Sequence, residues 1–276
     1  MIDRFGIGWR PALAAGILAC ADRIDVVEAM AEDFVDRAAL ATLRALTRTL
    51  PVTVHALSLG LASTIPVDEE RLAAVARAVA AAGAPAWSEH LAFVRAGGIE
   101  IGHLCAPPRC AATLDGLMRN LRRARAVVGA APWLENVATL IEPPGSDRDE
   151  TAWARDVAAA TGHPLLVDLH NLHANSVNFA FDPAAWIDAL PAAAISGVHL
   201  AGGAWLEERW LDDHRHDVPD PVFALLERLA AHASRPLTVI IERDGAFPPM
   251  GALLAQLDRA RAAVARGRRQ RVLAGV

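Results

Sequence analysis

Short apolar runs recur along this 276-residue chain, and each carries a carboxylate or an imidazole at or near its end. They are IDVVEAM, VTVHAL, AWSEHLAF, WLENVATL, LLVDLH, ISGVHLAG, RWLDDH and TVIIERD. Between them stand longer Ala/Leu/Arg segments with helical apolar spacing. The clearest are Ala38–Thr47, Asp68–Ala82, Thr113–Val128, Asp149–Thr161, Pro221–Ala233 and Gly251–Arg266. Asp68 with Glu69 and Glu70, and Pro183 after Asp182, are helix-start signals. Eight strands alternating with helices predict an α/β chain, a single (β/α)8 TIM barrel spanning residues 1–276. The stretch from His199 to Asp212 is too short for a full helix, so the seventh unit is expected to be degenerate.

Composition narrows the function classes. A chain this long buries a large core without disulfides or a structural metal. The net charge of −5 is mild and points to no nucleic-acid partner, and the arginine-rich RARAAVARGRRQRV reads as a solvated helix. Three cysteines, Cys20, Cys105 and Cys110, form no CxxC pair, so a cytoplasmic protein without a disulfide framework is expected. The N-terminal apolar run is too short to span a bilayer, and no membrane partner is expected.

A barrel of this kind carries its active site at the C-terminal ends of its strands. Glu28, His55, His90, Glu135, Asp168, His199, Asp212, His214 and Glu242 all fall at such ends. One histidine at a strand end is ordinarily a hydrogen-bonding core residue, and one buried carboxylate is ordinarily an ion-pair partner. Gathered at one barrel mouth, the set would repel or stay poorly solvated without cations. Imidazole and carboxylate without thiolate favour iron, manganese or zinc, and so many carboxylates suit bridging between ions. His103, His163 and His232 sit in loop or helix-end contexts and read as surface groups. Cys105 and Cys110 lack ligand spacing, and the glycines of AGG at 201–203 read as a turn. Trp205 and Trp210 flank the site. Asp244, two residues beyond Glu242, shares its face if the strand continues, as a proton-relay group or a plain ion-pair partner.

The ordered set GIGWRP, HALSLGLAS, SEHLAF, LENVAT, LLVDLHNLHANS, VHLAGG, LDDHRHDV and IIERDGAFPP covers nearly the whole chain. It resembles the multinuclear non-heme iron-dependent oxidative enzymes. That resemblance implies a TIM barrel with two or three irons, and O2-dependent modification of a ribosomally made precursor peptide, often at cysteine. A partner protein that presents the peptide is a further implication. By position, the implied metal ligands are His55, His90, Glu135, Asp168, His199, Asp212, His214 and Glu242, with Asn171 as a further ligand or near neighbour.

The chain departs from the family pattern in two places. His170 stands where an Asn is usual, and His173 where an aromatic is frequent. His173 is therefore a candidate pocket donor or ligand, and Asp244 a candidate proton-handling group. Whether His170 points with Asp168 depends on where the strand gives way to a turn, which the sequence leaves open. The chain has no Tyr, so tyrosyl chemistry is excluded. The rival reading is a divalent-metal barrel isomerase or hydrolase that works without O2. A second rival is a non-catalytic metal- or peptide-binding protein.

Overall fold

In the computed structural model, which describes residues 2–273 and Gly275, eight short parallel strands close into a barrel. They are β1 (Arg4–Gly8), β2 (Val26–Met30), β3 (Val52–Ala56), β4 (Trp87–His90), β7 (Trp133–Glu135), β8 (Leu165–Asp168), β9 (Ile195–Leu200) and β12 (Thr238–Ile241). Around the ring the order is β1-β12-β9-β8-β7-β4-β3-β2, and the β1–β2 pairing completes the circle. Two antiparallel hairpins, β5 (Phe93–Ala96) with β6 (Ile99–Cys105) and β10 (Gly203–Leu206) with β11 (Arg209–Asp212), follow β4 and β9. Both therefore rise from the end of the barrel where its strands finish.

The helices are α1 (Ala14–Ala19), α2 (Arg37–Leu46), α3 (Glu69–Ala82), α4 (Ala111–Val128), α5 (Glu150–Thr161), α6 (Leu169–Phe179), α7 (Pro183–Asp188), α8 (Asp220–His232) and α9 (Met250–Leu273). Asp36, Asp68, Asp149 and Asp182 each accept a backbone N–H at a helix start, satisfying donors that have no partner inside the helix. The helices turn Leu43, Leu72, Leu117, Val157, Leu229 and Leu257 onto the strands, where all are fully buried. Several arginines of α9 are paired: Arg259 with Asp220, Arg266 with Glu227 and Arg268 with Asp3. Among the described residues, no helix is long and apolar enough to cross a membrane.

The barrel is as the strand–helix alternation predicts, but its membership differs. RWLDDH is not a barrel strand; its first four residues form β11 in the second hairpin. The eighth barrel strand is RFGIG near the N-terminus. Two glycines in five residues hide this strand from a reading by β-propensity, yet packing requires one of them. A Cβ on Gly6 would lie 2.0 Å from the Val26 carbonyl oxygen. Of the run LLVDLH only Leu165–Asp168 is strand, and α6 begins at the next residue in place of the expected turn. Asp168 caps α6, accepting from the Asn171 N–H at 2.7 Å.

The 57–68 loop leaves the C-terminal end of β3 and is held from α4. Asn120 Nδ2 donates to the carbonyls of Leu61, Ser63 and Ile65 at 3.0, 3.1 and 3.0 Å. Asn120→Ala leaves these acceptors unpaired in a largely buried place. It is expected to lower stability by roughly 1–3 kcal/mol, read as a urea midpoint shift at unchanged slope.

Candidate metal centre

Glu135, at the end of β7, occupies the middle of the barrel mouth. Its Oε2 lies 3.5 Å from His55 Nε2 and 3.4 Å from His90 Nε2, and its Oε1 lies 3.1 Å from His199 Nδ1. Donor atoms bound at 2.0–2.2 Å to one ion stand about 3 Å apart, so these spacings match groups that share a cation. His55 Nδ1 is 2.8 Å from Ser88 Oγ. The hydroxyl oxygen can accept a hydrogen bond from Nδ1–H, which leaves the Nε2 lone pair facing Glu135.

The next side of the site is built by the passage from β8 into α6. Asn136 fastens the Asp168 backbone: its Nδ2 donates to the Asp168 carbonyl at 2.9 Å and its Oδ1 accepts from the Asp168 N–H at 3.0 Å. Capping uses Asp168 Oδ1, so Oδ2 is left without a hydrogen-bond partner. Asn171 Nδ2 donates to the Asn136 carbonyl at 3.0 Å, which turns Asn171 Oδ1 away, buried and unpartnered.

His199, from β9, is fully buried among three carboxylates. Its Nδ1 is 3.1 Å from Glu242 Oε2 as well as from Glu135 Oε1. Its Nε2 is 2.8 Å from Glu28 Oε1, at ion-pair distance but without hydrogen-bond alignment.

The β10–β11 hairpin and the loop after it bring in Asp212 and His214. His214 Nε2 is 3.0 Å from Asp212 Oδ1 and 3.9 Å from Asp168 Oδ2. Its Nδ1 lies 3.4 Å from Glu242 Oε2 and 3.3 Å from Asp244 Oδ2. His214 holds a left-handed backbone, φ 53°, which costs energy for a residue with a side chain. Its carbonyl accepts from the Asp244 N–H at 2.8 Å, which helps keep the imidazole aimed inward. Asp244 lies beyond the end of β12 and is held by Arg10, whose Nε and Nη2 donate to Oδ1 at 2.8 and 2.5 Å. The ion-pair role is thus filled, while Oδ2 still faces His214. His173, half-buried on α6, packs its ring edge-to-face on Trp210 at 5.4 Å and belongs to none of the ligand groups.

Three groups in this mouth could each hold a metal ion: His55, His90 and Glu135; Glu135, Asp168, His199 and Glu242; and His170, Asp212 and His214. Their ligand atoms lie within 4.8 Å of one another in each group. The buried atoms with no hydrogen-bond partner include Glu135 Oε2, Asp168 Oδ2, Asn171 Oδ1 and His214 Nε2. Unpaired buried acceptors are costly in an apolar interior, and cations held by these groups would satisfy them. The donor set, imidazole and carboxylate without thiolate, fits iron, manganese or zinc.

Protonation tells the same story in the absence of a metal. Burial alone would lower the His90 pKa, but the Glu135 and Glu89 carboxylates outweigh it and push it up to about 9. His199 and His214 are likewise held well above the usual histidine range, burial being overcome by Glu242 and Glu28 at one and by Asp212 at the other. His55 goes the other way because burial wins. Burial pushes Asp168 well above the ordinary carboxylate range. Protons stand in for cations here.

The chain matches, over residues 4–265, the family described as RiPP precursor modification enzyme MbnB/TglH/ChrH, enzymes that act on ribosomally made precursor peptides. The chain belongs to this family. A UPF0276 protein of Streptomyces avermitilis is 42% identical over 264 residues, covering 93% of this chain and 54% of the relative, so the chain spans about half that relative's length. A UPF0276 protein of Anaeromyxobacter sp. is 33% identical over 258 residues, covering 92% and 90%. Among solved structures, endonuclease IV from Thermus thermophilus superimposes with a TM-score of 0.59 at 17% identity, covering 95% of this chain and 99% of that one. D-psicose 3-epimerase from Clostridium cellulolyticum gives 0.58 at 13%, covering 97% and 99%. At these identities the likeness to the solved structures is one of fold.

Several side chains that build the mouth escape a reading by strand ends alone. Glu89 is fully buried one residue before His90; its Oε2 accepts from the Leu59 N–H at 3.0 Å and its Oε1 from the His90 N–H at 2.8 Å. Burial raises its pKa to about 7. Arg10 and Asn136 are also unforeseen, although GIGWRP and LENVAT contain them. His170 joins the site because helical geometry, not strand alternation, sets its direction. His163 and His232, expected at the surface, are half-buried and bond to the Pro132 and Leu190 carbonyls.

These shifts fix a pH dependence for chelator-stripped protein. The folded His90 pKa of about 9 exceeds its unfolded 6.5, so its stabilising contribution is complete below 6.5 and is lost as pH rises through 9. Glu89, raised from 4.5 to about 7, changes stability in the same direction at lower pH. His55 opposes them only near its ordinary value. Stripped protein is expected to lose on the order of a few kcal/mol between pH 6.5 and 9, measured by urea denaturation in chelator. Equal or greater stability at pH 9 contradicts this.

Proposed function

We propose that this chain is a multinuclear iron enzyme that uses O2 to oxidise a residue, cysteine foremost, in a ribosomally made precursor peptide. The carrying observation is Glu135, whose two oxygens face separate sets of donors, His55 with His90 on one side and His199 on the other. A shared carboxylate of this kind suits adjacent ions. In this reading His55, His90 and Glu135 would hold one iron. Glu135, Asp168, Asn171, His199 and Glu242 would hold a second, and Asp212 with His214 would hold a third or complete the second. Iron held there would pass electrons from the peptide residue, which is oxidised, to O2, which is reduced, and would favour a substrate thiol as thiolate.

The residues around the iron sites have distinct tasks. Arg10 offsets the negative charge of Glu242 and Asp244 at the rim, 3.8 Å from the former. In this reading Asp244 Oδ2, partly exposed 3.3 Å from His214 Nδ1, accepts or returns a proton. His173 and Trp210 form an aromatic wall, with Trp205 edge-on to Trp210 at 5.4 Å. Exposed Ile99, Ile101, Trp205, Leu206 and Phe247 ring the same end of the barrel and suit a peptide, with or without a partner protein that presents it. The free cysteines agree with a cytoplasmic setting.

Anaerobically purified protein is expected to hold about two to three irons per chain. Mixed with the peptide encoded by a neighbouring small open reading frame, it should change the peptide's mass only after O2 is admitted. Asp168→Ala and Glu242→Ala should abolish the mass change and lower iron content with the fold intact, since a barrel of this size does not need the metal to fold. His232→Ala should alter neither, because His232 binds the Leu190 carbonyl away from the mouth. Equal modification under strict anaerobiosis, or with zinc in place of iron, would move the chain to the metal-hydrolase and isomerase class.

A further inference from the structure

We propose that His170 is a positioning residue and not a metal ligand. It is a neutral imidazole protonated at Nδ1, fixed by Trp210, that in turn fixes the Asp212 carboxylate. The proposal rests on the preceding reading only in treating Asp212 as a ligand.

Trp210 decides the matter. Its Nε1–H, which can only donate, lies 2.9 Å from His170 Nε2. Nε2 must therefore accept, so its lone pair is occupied and carries no proton. The proton of the neutral ring is then on Nδ1, which lies 2.5 Å from Asp212 Oδ1 and donates to it. The other states fail on the same contacts. An imidazolium would set an Nε2–H against the indole N–H, two donors face to face. Ligation through Nε2 would displace the indole. Ligation through Nδ1 would again place a proton on Nε2, and it would crowd Nδ1 and Oδ1 to 2.5 Å, closer than the roughly 3 Å separating co-ligands of one ion. Proximity puts His170 in a possible ligand group, but hydrogen-bond polarity takes it out.

The surroundings hold this arrangement firmly. His170 is fully buried in the first turn of α6. Trp210 is clamped to the same helix: Asn178 Nδ2 donates to the Trp210 carbonyl at 3.0 Å, and the Trp210 N–H donates to Asn178 Oδ1 at 2.8 Å. Gly203 lets the hairpin backbone lie on the ring, since a Cβ there would stand 2.8 Å from His170 Cε1 and 2.0 Å from the Leu211 carbonyl oxygen. The hydrogen bond thus orients a carboxylate supplied by the hairpin from a helix anchored in the barrel. Oδ1 of Asp212 also meets His214 Nε2 at 3.0 Å, so the same bond sets the spacing of the pair.

Two side chains separate the halves of the bond. In His170→Asn the amide nitrogen takes the place of Nδ1 and can still donate to Asp212. In His170→Gln the amide oxygen reaches the place of Nε2 and can accept from Trp210 but leaves Asp212 without its donor. With ferrous iron alone as probe, under anaerobic titration, His170→Asn should bind as many ions as the wild type, with unchanged affinity. His170→Gln and His170→Leu should bind the last ion roughly 10- to 100-fold more weakly, and Asp212→Ala should lose it. Loss of an ion in His170→Asn, as in Asp212→Ala, or wild-type affinity in both His170→Gln and His170→Leu, overturns the proposal. The tautomer is read directly in wild-type protein with 15N-labelled histidine, metal-free and zinc-loaded. Protonated Nδ1 and unprotonated, metal-free Nε2 are expected, and a protonated or zinc-bound Nε2 overturns the proposal without any variant. A wild type that takes up no iron refutes the iron-enzyme reading instead, and the tautomer still decides this one.

Discussion

The organisation of the molecule depends on the burial of Glu135 among histidines. A carboxylate taken out of water needs compensation, and a closed barrel mouth admits little solvent to provide it. The surrounding carboxylates, Asp168, Glu242, Glu28 and Asp212, deepen that need, and His90, His199 and His214 meet it only by holding protons beyond their ordinary range or by sharing a cation. The barrel supplies rigidity against the resulting strain. His55, His90, Glu135 and His199 come from strands whose neighbours hydrogen-bond them on both sides, so the groups cannot drift apart to relieve their repulsion.

Most of this site was legible because barrel strands end at a common rim, so a titratable residue at the end of an apolar run has one destination. His55, His90, Glu135, Asp168, His199 and Glu242 were found by that rule, and all meet at the mouth. The rule also led to Asp212 and His214, though for a wrong structural reason. They reach the mouth on a hairpin and the loop behind it, and RWLD alternates like a strand because it is one, in a different sheet. Arg4–Gly8 carries no such signature, because its value lies in the room its glycine leaves for a neighbouring backbone, a property of packing that no local pattern expresses.

The residues that stayed hidden act through hydrogen bonds to backbone, and their partners lie far away in sequence. Asn136 pairs with the Asp168 main chain, Asn178 with that of Trp210, and Glu89 with the Leu59 N–H. Nothing in LENVAT or SEHLAF distinguishes such a group from an ordinary polar residue. Around Asp168 the difficulty was of another kind. One carboxylate caps a helix through Oδ1 and presents Oδ2 to the site, so strand and helix meet with no residue between them. A strand period assigned past that point gives no direction for His170, whereas a helix turn sends it towards the hairpin.

The mouth thus has two kinds of wall. One is the strand ends, fixed by the barrel. The other is the hairpin and its following loop, which contribute Asp212 and His214 and are held to α6 by side chains rather than by a sheet. Such attachments are worth about 1 kcal/mol each in net stability, far less than the cooperative pairing of a closed barrel. Geometry on the hairpin side must therefore be specified by polarity: Trp210 donates, His170 relays, Asp212 accepts, and reversing any one of these roles sets two donors or two acceptors against each other. Where a fold cannot supply rigidity through its sheet, an ordered chain of donors and acceptors supplies direction instead, and here that chain ends on a carboxylate facing the metal-binding groups.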